Sequence, residues 1–110
     1  MRVRIAGDRN VTDSSAATFV ASFYTDAWAA TTPTSVRYKL TDASEQDVIA
    51  WTSVTPGTSV TITIPAASNA PSDNSLRYDV RLLTVQADNG LASQVTEPFV
   101  YQVRNLRSIA

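Results

Sequence analysis

The side chains able to do chemistry are few in this chain of 110 residues, and the missing types narrow the field first. There is no histidine and no cysteine. That double absence removes the commonest general base, the commonest transition-metal ligand and the usual nucleophile pairs. Catalysis would then rest on paired carboxylates or on Lys39, the only lysine. Lys39 alternates with apolar residues in VRYKL, a pattern that turns it to solvent. Asp42, Glu45 and Asp47 in DASEQD are of the type that binds hard cations, but they lack the alternate spacing and central glycine of a calcium loop. They read as a solvated turn. SDNS at 72–75 reads the same way, since Asx-turn bonding accounts for its residue types. Gly7, Gly57 and Gly90 lie too far apart to cradle a phosphate. Asn10-Val11-Thr12 matches a glycosylation acceptor, a pattern frequent by chance that here follows no secretory signal. The expectation is a protein without enzymatic activity, cofactor or metal.

What remains is contact chemistry. Arg37, Arg77, Arg81 and Arg104 alternate with apolar residues on different strands. Such stripes bind phosphates or a carboxylate-rich partner, or they form the polar face of an antiparallel sheet, pairing with Asp79 across strands. The formal net charge of -1 favours the second and leaves no overall pull toward nucleic acid or anionic lipid. Trp28, flanked by Ala27, Ala29 and Ala30 in a loop, has the character of an interface anchor; the alternative is a lid folded back over one end of the core. Trp51 ends a short strand and is expected in the core. The tip DNGL, with Asn89, Gly90 and Leu91, is a second candidate contact. A third is the tail RNLRSIA, where residues 105–110, with Arg107 and Ile109, are expected to add to a neighbouring sheet or lie in a groove.

The elements that must position these residues are strands. Thr (14) and Ser (12) are abundant, and β-branched residues cluster in short runs separated by Pro, Gly, Asn and Asp. A first strand falls near Val3 to Ala6, with a continuation after GDRN left open. In ATFVASFYT, Phe19, Ala21 and Phe23 share the inward face. Val36, Tyr38 and Leu40 do so in SVRYKLT. VIAW is a short fourth strand, and TPG the next break. Val60, Ile62 and Ile64 point inward in TSVTITIP, which Pro65 ends. AASNAPSDNS is a crossing loop with room for one helical turn at most.

The sixth strand, LRYDVRLLTVQA, puts Leu76, Tyr78, Val80 and Leu82 on the core face. Leu83 then breaks the alternation, and Val85 with Ala87 carries it onward, so a bulge or strong coil is expected there. Asn89 and Gly90 are expected to supply the positive φ of a tight hairpin. The seventh strand runs through SQVTEPFVYQVRNL, with Pro98 marking an edge or a bulge. The chain is long enough for one core, so residues 1–110 are read as a single all-β domain, a seven-stranded antiparallel two-sheet sandwich. MRVRIAGDRN has no apolar run of signal-peptide length, and no segment offers about 18 consecutive apolar residues for a membrane span.

The run TSVTITIP, crossing loop, LRYDVRLLTVQADNGLAS resembles the fibronectin type III and wider immunoglobulin-like sandwiches, from their fifth strand into the hairpin after their sixth. SVRYKLTDA is similar to their third strand. Leu76 and Tyr78 sit where that family carries its tyrosine corner; the second strand lacks the family's buried tryptophan, and Phe23 takes that place. The Cys-free, Ser/Thr/Ala-rich style, ending in FVYQVRNL, resembles immunoglobulin-like accessory proteins of tailed bacteriophage virions. That resemblance implies a structural or adhesive role in the virion, with capsid, collar, tail or fibre components as partners, possible self-association, and no nucleic acid or membrane. The alternative it leaves open is recognition of carbohydrate or a host surface by loop tips around Trp28 and Asn89.

Overall fold

The computed structural model describes residues 1–70 and 78–104. Leu76, Arg77, the SDNS turn, Arg107 and Ile109 lie outside the described residues. Eight strands are formed: β1 (Arg2–Gly7), β2 (Asn10–Thr12), β3 (Ala17–Tyr24), β4 (Val36–Asp42), β5 (Asp47–Val54), β6 (Ser59–Ile64), β7 (Tyr78–Ala87) and β8 (Val95–Arg104). A single 3₁₀ turn, Ala66–Asn69, follows β6. The strands make two sheets, one in the order β1-β3-β6 and one in the order β2-β8-β7-β4-β5.

The expected strand count and pairing need correction. The chain continues after GDRN, but β2 leaves the sheet of β1 and pairs in parallel with β8, Val11 against Val103. Eight strands with one parallel pair therefore replace seven antiparallel ones among the described residues. Gly7 makes the change of sheet sterically feasible, because a Cβ there would collide with the ring of Phe19.

Alternation builds the core from both sheets. Phe19, Ala21 and Phe23 of β3 are fully buried, as are Ile64, Leu40, Leu83 and Val85. The ring of Phe19 crosses to the other layer, with centroids 5.4 Å from Phe99 and 5.0 Å from Tyr101. Each buried Phe, Ile, Leu or Val side chain contributes about 1.5–3 kcal/mol relative to exposure. These contacts weld the two layers into one core.

The face of β7 is the main departure from expectation. Tyr78 is 47% exposed, and Val80 and Leu82 are half-buried, whereas Asp79, Arg81, Leu83, Val85 and Ala87 point inward. Pairing runs without a shift from Tyr78 opposite Arg104 to Ala87 opposite Val95. No bulge and no change of phase occurs; the inward row simply begins with two charged residues. Tyr78, out on the surface, makes no tyrosine corner. The irregularity lies in β5, where register shifts against β4 fall between Tyr38 and Leu40 and between Leu40 and Thr41. VIAW is accordingly part of an eight-residue edge strand in the five-stranded sheet. At Pro98 the β8 pairing to β7 is regular, and β2 reaches β8 only at Gln102–Arg104, so the missing N–H falls beside an open edge.

Candidate functional site

Three groups of polar or aromatic side chains stand out from the fold, one closed and two open. The closed group sits at the β7 start. Asp79 and Arg81 are each 2% exposed and pair at 3.0 Å. Arg81 also donates through Nη2 to the carbonyl of Ala70 at 2.8 Å and through Nε to that of Ser68 at 3.4 Å. Fully buried Asn69 accepts a 2.7 Å hydrogen bond from the Tyr101 hydroxyl and donates to the Ser15 carbonyl at 2.8 Å. Burial pushes the Tyr101 hydroxyl up to about 12, against the opposing pull of the Arg81 charge. No buried side-chain nitrogen or oxygen among the described residues lacks a partner. A network this complete fixes the crossing turn to the sheet and leaves no group exposed for a ligand.

The first open group is built on Trp28. Trp28 N–H donates to the Thr25 carbonyl at 2.9 Å, and Thr25 N–H to the Ala29 carbonyl at 2.8 Å. This is a tight reversal whose last residue must enter the left-handed region, where glycine is the usual occupant. Trp28 stands there instead, at φ 64°, at a cost of roughly 1–2 kcal/mol. Its side chain is 49% exposed. The ring does not lid the core: it lies on the outside of the three-stranded sheet, with the guanidinium carbons of Arg2 and Arg4 at 4.6 and 5.1 Å from its centroid and the Tyr24 ring at 5.7 Å. Stacked cations hold an exposed aromatic ring at low entropic cost.

The tip after β7 occupies the same end as the Trp28 loop. Asp88 N–H donates to the Ser35 carbonyl at 2.9 Å, and Asp88 Oδ1 accepts from Thr34 N–H at 2.7 Å. Asn89 N–H donates to Ser35 Oγ at 2.9 Å. Positive φ occurs at Asp88 (54°) and Gly90 (80°), not at Asn89, and strand pairing resumes only at Val95. A loop of residues 88–94 thus replaces the expected tight hairpin. Leu91 is 49% exposed at its tip. The bases of the two loops are bonded, yet among the described residues no hydrogen bond or ring contact joins Trp28 to Asn89, Gly90 or Leu91. Sequence reading missed Asp88, whose carboxylate also accepts from Ser93 Oγ at 2.7 Å and so ties the tip together.

The second open group lies on the outer face of the five-stranded sheet. Trp51, expected in the core, is 37% exposed; it lies between Thr52, opposite Tyr38, and Ile49, opposite Leu40, where the β5 register shifts and both partners of β4 face inward. The Arg37 guanidinium carbon and the Lys39 ammonium lie 4.1 and 5.0 Å from its ring centroid. Arg37 Nε donates to Gln86 Oε1 at 2.7 Å, and Gln86 Nε2 to Thr96 Oγ1 at 3.1 Å. Trp51, Lys39, Glu45, Leu82 and the hydroxyl-bearing Thr41, Thr84 and Thr96 line an open groove of ≈ 410 Å³. Among the described residues, no carboxylate is within ion-pair range of Arg2, Arg4, Arg37 or Lys39. Among the described residues, the member of the arginine stripe that pairs with Asp79 is buried Arg81, on the same strand.

Asp42 behaves as a turn residue: its Oδ1 accepts from the N–H groups of Ser44 and Gln46 at 2.9 and 3.1 Å. Among the described residues no group of three or more metal-ligating side chains comes together, and no helix is long and apolar enough to cross a membrane. No protein-family model matches the chain, and no curated protein matches it in sequence.

Proposed function

We propose that the chain is a non-enzymatic, immunoglobulin-like structural module of a tailed-bacteriophage virion, docking on a capsid, collar or tail component through the Trp28 face. The immunoglobulin-like type is supported by the strand order: β1-β3-β6 opposite β8-β7-β4-β5 corresponds to strands A-B-E opposite G-F-C-C′ of that architecture. The virion context rests on resemblance in sequence style. The observation that carries the docking face is Trp28 itself, a large aromatic half in solvent on a backbone conformation that costs energy to hold. Strain of this kind persists where a contact needs the side chain.

The test separates docking from folding. Trp28→Gly removes the ring and relieves the left-handed backbone, so its unfolding free energy stays within about 1 kcal/mol of the parent. Quantitative mass spectrometry of purified particles should find the parent chain at fixed stoichiometry and the variant depleted about tenfold or more. Absence of the parent chain from the particles rejects the virion reading, and undiminished variant rejects the docking face.

A second reading, recognition of carbohydrate or a host surface, is favoured by the Trp51 groove, where an aromatic platform meets threonine hydroxyls and two cations that have no carboxylate partner among the described residues. A glycan array that stays blank removes it.

A further inference from the structure

The two sheets have four edges, and three carry features that discourage another strand from pairing there. β1 bears Arg2 and Arg4 on its outer face. β5 is bulged and starts with Asp47. β8 has Pro98 and is covered in part by β2. Charges, prolines and bulges are the usual means by which natural sheets close their edges. β6, Ser59–Ile64, has none of them: its sequence SVTITI is uncharged, and its register with β3 runs unbroken from Ser22 opposite Ser59 to Ala17 opposite Ile64.

The pairing phase shows which backbone groups are open. Phe23 N–H donates to the Thr58 carbonyl at 3.0 Å, and this pair continues the register of β3 with β6. Hydrogen-bonded pairs alternate along an antiparallel ladder. Val60, Ile62 and Ile64 therefore bond toward β3, while Ser59, Thr61 and Thr63 turn both N–H and C=O away from it. The same three residues carry the exposed side chains. No described residue pairs with this side of β6.

We infer that β6 is a strand-addition edge and that its partner is β6 of a second copy of this chain, paired antiparallel about a two-fold axis at Thr61. In that register Thr61 faces Thr61 of the second copy and Ser59 faces Thr63, each pair exchanging both backbone bonds. Isologous pairing requires a self-complementary surface. An uncharged strand meets that requirement, because no like charges oppose one another and Ser/Thr pairs across strands are favourable. The open edge consists of backbone groups of β6 and does not include the Trp28 ring, and self-association of the isolated chain is read without any virion component, so its test is independent of the docking proposal.

Sedimentation of the full chain across a concentration series is expected to show a monomer–dimer equilibrium. Thr61→Lys and Thr61→Glu, both on an exposed side chain, should each remain monomeric, and an equimolar mixture of the two should form dimers again. A second readout needs no variant: amide exchange at Ser59, Thr61 and Thr63 should slow as concentration rises, while exchange at Val60 and Ile62 does not. A wild-type chain that stays monomeric throughout overturns the inference, as does a dimer that Thr61→Lys leaves intact, a mixture that fails to associate, or exchange at the three outward amides that is independent of concentration.

Discussion

β4 and β7 are neighbours in one sheet, both carry cations flanked directly by apolar or aromatic residues, and they treat those cations in opposite ways. In β4, Val36 and Leu40 are buried while Arg37 and Lys39 lie outside on the ring of Trp51. In β7, Arg81 is 2% exposed and Tyr78, two residues before the half-buried Val80, is in solvent. Register forces the choice: Leu83 opposes Leu40 and Ala87 opposes Val36, so the odd-numbered row of β7 must face the core. Asp79 and Arg81 then enter with it. Burial becomes tolerable because the 3₁₀ turn supplies the Ser68 carbonyl, its capping residue supplies the Ala70 carbonyl, and Asp79 supplies the charge. The inward or outward fate of a charged residue is thus decided by the far end of its strand, and its partners follow.

The contrast can be broken most forcefully at the two arginines. Arg81→Gln removes the cation from a buried pair and should cost about 3–5 kcal/mol in denaturant unfolding, whereas Arg37→Gln loses stacking on an exposed ring and should cost about 1 kcal/mol or less. Equal losses would mean that the two sites are not different environments.

A smaller effect follows from pH. Tyr101 is neutral in the folded protein until about 12, while an unfolded tyrosine ionises near ~10. Between those values the unfolded chain binds fewer protons, so stability falls as pH rises; the contribution is complete below ~10 and on the order of 2 kcal/mol is lost by ~12. Tyr101→Phe should flatten that part of the stability profile. An unchanged slope would detach Tyr101 from the buried network.

Much of the fold was legible. Period-two alternation identified β3, β4 and β6 with their inward residues, and Pro65 marked the end of β6. β7 was not legible, for a countable reason: Tyr78, Val80 and Leu82 on one face match Leu83, Val85 and Ala87 on the other in apolar number, and only the pairing to β4 breaks the tie. Trp51 was misread because a bulge has no compositional signature in VIAW. The short β2 depends on a parallel pairing some ninety residues away in sequence. Trp28, Asn89, Gly90 and Leu91 were placed correctly at loops, but the residue that organises their end of the molecule, Asp88, looked like any other turn aspartate.

The absence of cysteine from the chain allows the face of β7 to be read directly by thiol labelling. In folded protein, Tyr78→Cys and Val80→Cys should react with a thiol reagent, and Leu83→Cys and Val85→Cys should react only on unfolding. Protection at 78 and 80, with reaction at 83 or 85, would contradict the inward row that runs from Asp79 to Ala87.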